Sequence, residues 1–168
     1  MATNFREIEK GVLYKVIIPK QKIKVFISSA CGDDLWKQKY NLVRAGLKAL
    51  IEATLFAEVY LFESEGASTA SARQHYTSAL EDCDVCIFLI DNKDGIPDGV
   101  QVEIDIANKF GIKSLYYFCD QSSKDKTPLQ RSLSGARNAK SKDVHSFEDF
   151  IRIGATDLIE DLVMIYKH

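Results

Sequence analysis

Val85-Cys86-Ile87-Phe88-Leu89-Ile90 decides the fold. No polar residue interrupts this run, and branched and aromatic side chains dominate it. A strand with one wet face alternates in polarity. An unbroken apolar run needs cover on both faces, the situation of a strand inside a parallel sheet with helices above and below. Three further runs share this character: Ile23 to Ile27, Ala57 to Phe62 and Ser114 to Cys119.

Helical stripes separate these runs. The first places Leu35, Leu42, Val43, Leu47, Leu50 and Ile51 at three- and four-residue spacings, and the second aligns Ala72, Tyr76 and Leu80. The third carries Val102, Ile106 and Phe110, with Gly111 as a natural stop. Ser146 caps a last helix whose Phe150, Ile151, Leu158, Leu162 and Ile165 face inward, and Asp149 approximates a capping box. Strand and helix alternating at this spacing predict right-handed crossovers, hence a three-layer α/β domain with a mainly parallel sheet over residues 23–168. Residues 1–22 form an N-terminal arm or edge strand, because Val12, Tyr14, Val16 and Ile18 alternate before Pro19. The polar segment 134–143 reads as a surface loop.

The chain has 168 residues, enough for one domain. Its 22 basic and 24 acidic residues give a net charge of -2 and are interspersed. That pattern offers no footprint for a phosphate backbone and argues against nucleic acid as a partner. No apolar run approaches the roughly 18 residues a membrane span needs, and the polar N-terminus lacks the order of a signal peptide, so a cytoplasmic protein without membrane contact is expected. Four cysteines, Cys31, Cys83, Cys86 and Cys119, include one C-x-x-C pair. That pair enters a strand, so buried, reduced core thiols are expected and no metal site.

The polar connections Ser28 to Asp34, Ser64 to Ser71, Asp91 to Gly99 and Asp120 to Thr127 all follow strand C-termini. In open α/β sheets such loops line the ligand crevice. No dinucleotide fingerprint, phosphate loop or His-Glu-x-x-His pattern is present, and His75, His145 and His168 have no implied partner. Glu103 stands out because it opens the third helix after Asp94-Gly95-Ile96-Pro97-Asp98-Gly99, on a stripe with Ala107 and Phe110. In its first turn a carboxylate is held ionised by the helix dipole and shielded from water, which suits a nucleophile or a stabiliser of an oxocarbenium-like sugar. A helix-favouring glutamate with no further role is the competing reading. Asp91 and Asp98 suit ribose hydroxyls or turn caps, and Ser28 and Ser29 suit phosphate and ribose oxygens or local turns. Trp36 would stack on a base or fill the core. Arg73 would meet a phosphate or remain solvated.

Lys24-Val25-Phe26-Ile27-Ser28-Ser29 resembles the opening motif of TIR-like domains of uncharacterised function, which often head bacterial defence proteins. The resemblance continues through Ala79 to Ile90 and Gly99 to Phe118, covers about residues 23–133, and implies flavodoxin-like βα repeats. Asp98 to Ala107 is also similar to the nucleophile segment of nucleoside 2-deoxyribosyltransferases, with Glu103 on the nucleophile position. The chain departs from that pattern at Val100, where Thr is usual, and in Ser28-Ser29, which replaces a Gly-containing loop. Both relatives cleave N-glycosidic bonds. The resemblance therefore implies that Glu103 faces C1 of a ribose with Asp91 or Asp98 near its hydroxyls, and that NAD or a related nucleotide is substrate rather than cofactor. It further implies a homo-oligomer, or a fused or partner effector domain, in defence signalling. Three alternatives stand beside this: a non-enzymatic scaffold or nucleotide sensor, a deoxyribosyltransferase-like enzyme, and a phosphoacceptor domain using Asp91. The last is disfavoured because Ser28-Ser29 occupies the place where such sites need acidic residues.

Overall fold

The computed structural model describes residues 5–8, 12–15, 21–31, 35–61, 72–91, 96–119, 128–132, 141–144, 146 and 149–167. Strands β1 (Phe5–Ile8) and β2 (Val12–Lys15) pair antiparallel with each other as a separate hairpin. Val12 and Tyr14 lie on β2, whose backbone pairs with β1, while their side chains, and Val16 and Ile18 altogether, lie outside the described residues.

The main elements follow in order: β3 (Ile23–Ser29), α1 (Leu35–Glu52), β4 (Ala57–Tyr60), α2 (Ala72–Glu81), β5 (Val85–Asp91), α3 (Asp98–Phe110), β6 (Lys113–Cys119), α4 (Pro128–Ser132), β7 (Ser141–Val144), a π-helical turn (Phe150–Gly154) and α5 (Ala155–Lys167). Five strands form one wholly parallel sheet in the order β4-β3-β5-β6-β7. The chain runs outward from β3 to β4, then returns past β3 to β5. That reversal makes the C-terminal ends of β3 and β5 the switch point of the sheet, where α/β proteins open a crevice.

Burial explains this architecture. No residue from Val85 to Ile90 is more than 2 % exposed. Val85, Ile87 and Leu89 join Val25 and Ile27 beneath Tyr40, Val43, Leu47 and Ile51 of α1 and Leu158 and Leu162 of α5. Cys86, Phe88 and Ile90 join Phe26 and Phe118 against Leu80 of α2 and Val100, Ile104 and Ala107 of α3. The sheet thus has two cores, one per face, and the unalternating run is the strand shared by both. At its N-terminal end the register is pinned by Asp84, whose carboxylate accepts the Lys24 N–H at 2.8 Å and whose own N–H reaches the Lys24 carbonyl at 2.9 Å.

Helix ends match their signals. Gly111 adopts φ 67° and closes α3, with its N–H on the Asn108 carbonyl and that of Ile112 on the Ala107 carbonyl, so a residue with a Cβ would be strained there. Ser146 Oγ accepts the Asp149 N–H at 3.0 Å ahead of the last helical segment.

Several expectations are corrected. On α1 the inward stripe is Tyr40, Val43, Arg44, Leu47 and Ile51, while Leu35 and Leu42 are 80 % and 72 % exposed and Leu50 is also outward. On α3 the buried residues are Val100, Ile104 and Ala107; Phe110 is half exposed beneath the Lys109 ammonium, 5.1 Å from its ring centre. In both helices more apolar residues were available than one stripe holds, and contact with the sheet selected among them. Ile151 is likewise exposed, and the side chain of Ile165 lies outside the described residues. The end of the segment expected as a loop, 134–143, belongs to β7, which pairs parallel with β6 from Tyr116↔Ser141 to Cys119↔Val144. Its sequence, Ser-Lys-Asp-Val, has one apolar residue, Val144, and so lacks the hydrophobic signature of an inner strand. Among the described residues, no helix is long and apolar enough to cross a membrane.

Phe118 is fully buried between β6 and the α2–α3 layer. Phe118→Ala should cost about 3–5 kcal/mol, read as a lower urea midpoint with an unchanged slope.

Candidate active site at the end of β3

Successive residues of a strand point to opposite faces, so the two serines that end β3 divide between the two helical layers. Both are buried. Ser28 turns toward α3, where its Oγ donates to Oε2 of Glu103. Ser29 turns toward α1, where its Oγ accepts from Nη1 of Arg44 at 2.8 Å. The same nitrogen contacts Sγ of Cys31 at 2.8 Å, and Nη2 donates to Oδ1 of Asn41 at 2.6 Å. Strand β3 therefore ends as a polar hinge pin with a carboxylate fixed on one side and a guanidinium on the other.

Glu103 differs from expectation in one respect. Helix α3 begins at Asp98, so Glu103 lies in the second turn, beyond the reach at which a helix N-terminus strongly holds a charge. Burial pushes its carboxyl above the usual glutamate range, and the Ser28 hydrogen bond and the positive charge of Arg44 oppose that push only in part. The group is consequently a stronger proton acceptor than a surface glutamate.

The remaining candidates are less convergent. Asp98 is exposed in the first turn of α3, on the helical face of exposed Gln101 and Asp105 and roughly 140° around the axis from Glu103. Asp91 ends β5, two register positions beyond the pairing of Ser29 with Leu89, which puts its backbone at the crevice edge. Trp36 lies in the first turn of α1 and Arg73 in the first turn of α2. The side chains of Asp91, Trp36, Arg73, His75 and Cys119 lie outside the described residues, as do His145, His168 and the loops 32–34, 62–71, 92–95 and 120–127. Cys31 is exposed at the site, not buried in the core. Burial pushes the Cys83 thiol up to about 12 and the Cys86 thiol well above its ordinary value, so both stay protonated at neutral pH.

Arg44, only 2 % exposed, is the site residue that sequence reasoning missed. The signal was its place on the stripe of Tyr40, Val43, Leu47 and Ile51, since a cation at a core-facing position needs polar partners to be tolerated.

A parallel, doubly wound sheet with a partly buried carboxylate at its switch point places the chain in the doubly wound α/β class. Within that class, residues 24–162 match the family described as Domain of unknown function (DUF4062), and the chain belongs to this family. Among solved structures the fold is similar to that of the Clostridium botulinum CMP N-glycosidase BcmB, with a TM-score of 0.58 and 18 % identity over 80 % of this chain and 98 % of that one. A 2-desoxiribosyltransferase from Leishmania mexicana matches with a TM-score of 0.49 and 14 % identity over 77 % of this chain and 97 % of that one. No curated protein matches the sequence.

The balance at Glu103 has a measurable sign. Its carboxyl, followed by carbon-13 NMR, should titrate above an ordinary glutamate, and Ser28→Ala or Arg44→Met should each move it further up. Because the folded chain then binds this proton more tightly than the unfolded chain, Glu103 should make stability fall as pH rises from the ordinary glutamate range through the raised folded value. Glu103→Gln should flatten that part of the stability profile, measured by urea unfolding at a series of pH values.

Proposed function

We propose that this chain cleaves the N-glycosidic bond of a nucleotide, with Glu103 facing the ribose. The observation that carries this reading is the partly buried Glu103 carboxylate, anchored by Ser28 at the C-terminal end of the central strands. The C1–N bond breaks with its electron pair leaving on the base. Glu103 stabilises or captures the ribosyl cation, and water or an internal nucleophile completes the reaction. The fold shared with a protein named as a CMP N-glycosidase supports this class of chemistry.

An NAD-type substrate and a setting in bacterial defence rest on the resemblance of Lys24 to Ser29 and Ala79 to Ile90 to TIR-like domains. Nicotinamide is cationic while attached, so the departing pair neutralises it and no proton donor is required. Cytosine leaves from a neutral base and needs a proton, which makes the two substrate classes separable. Assembly into a homo-oligomer, or with an effector domain, would complete the crevice.

The scaffold reading keeps one observation on its side: the Ser28–Glu103 hydrogen bond also ties α3 to β3, a purely structural task. Concentrated protein incubated with NAD, NADP and CMP, with release of nicotinamide or cytosine followed by chromatography, separates the two. Glu103→Gln should lower release by about a thousandfold, the scale of losing a group that acts on the developing charge. If no nucleotide is consumed in a Glu103-dependent way, even at high protein concentration, the domain is a scaffold or sensor.

A further inference from the structure

We propose that Arg44 is a positioning residue for the reaction at Glu103: its guanidinium clamps the end of β3, so that Ser28 presents the carboxylate in one orientation, and its charge supports that carboxylate from the other face of the sheet. The proposal rests on the glycosidase reading above.

Arg44 is 2 % exposed, and a guanidinium taken out of water is tolerated only where hydrogen bonds or opposite charge replace its lost hydration. Three neutral groups on three pieces of chain accept from it. Ser29 Oγ on β3 and Cys31 Sγ beyond it each lie 2.8 Å from Nη1, and Asn41 Oδ1 on α1 lies 2.6 Å from Nη2. The planar fork thus ties strand, loop and helix together, which the point charge of a lysine does not reproduce. Ser28 and Ser29 are consecutive, so holding the Ser29 hydroxyl on one face fixes the backbone from which Ser28 projects to the other.

Seen from Glu103, the arrangement has a second use. Its carboxylate accepts a hydrogen bond from Ser28 and feels Arg44 as a charge across the sheet. A direct ion pair would already have answered the negative charge, leaving less of it for a ribosyl cation. A cation at a distance favours the ionised carboxylate and leaves it available to the sugar. The other titratable group beside Glu103 is the buried Cys86 thiol of β5, which stays protonated at neutral pH.

Three variants separate clamp from charge. Ser29→Ala cuts the clamp and keeps the charge, Arg44→Lys keeps the charge without the fork, and Arg44→Met loses both. In the nicotinamide or cytosine release assay, Ser29→Ala and Arg44→Lys should lower kcat about tenfold to a hundredfold, the scale of a reacting group displaced by an ångström or less, with KM within about threefold of the parent. Arg44→Met should in addition move the acid limb of the kcat–pH profile upward, because Glu103 then ionises at higher pH. The Glu103 carboxyl carbon, assigned in NMR spectra through Glu103→Gln, reads the clamp without turnover: one sharp signal in the parent chain, a broadened or split one in Ser29→Ala and Arg44→Lys. Parent-like kcat in both variants, a loss carried wholly by KM, or a carboxyl signal that stays single and sharp in both overturns the proposal. If the parent chain consumes no nucleotide, the glycosidase reading falls, and the carboxyl signal alone decides whether Arg44 positions Glu103.

Discussion

A strand buried on both faces can be polar only at its ends. That constraint governs β3 and β5, whose side chains from Val25 to Ile27 and from Val85 to Ile90 alternate between two cores and are all buried. Polar chemistry is thereby driven to the strand termini. At the N-terminal end it consists of register-setting contacts between Lys24, Asp82 and Asp84. At the C-terminal end it consists of Ser28 and Ser29, and through them Glu103 and Arg44. The site is placed where the core stops.

The two serines also couple the helical layers. Glu103 belongs to α3 and Arg44 to α1, on opposite sides of the sheet, yet both are held by adjacent residues of one strand. The positive charge of the guanidinium thus acts on the carboxylate across the end of the sheet, opposing the upward push of desolvation. A shift of α1 relative to β3 would alter the acidity of a group on the far side.

Much of this was legible in the sequence, for definite reasons. Val85 to Ile90 announced a doubly covered strand because no polar residue interrupts it, and Gly111 announced the end of α3 because only a residue without a Cβ takes that turn freely. β7 was hidden because an outer strand with one apolar residue carries no periodic signal. Arg44 was hidden because a charged residue on a helix is ordinarily solvated, and only the three-dimensional stripe shows that it faces inward. Glu103 lies in the second turn of α3 rather than the first, because the helix starts a turn earlier than its apolar pattern suggests, so burial and not the helix dipole leads among the influences on its carboxyl. Where apolar residues exceed what one face can bury, as in α1, sequence names the helix but not its orientation.

The sheet ends on two strands of four residues each, β4 and β7. Glu58 is exposed on the first, and Lys142 and Asp143 on the second. Short, charged borders are poor templates for another chain, since a passing strand would have to desolvate charge to gain few backbone hydrogen bonds. The same polarity that concealed β7 from sequence reading thus makes the outer strands poor partners for fibril-like stacking.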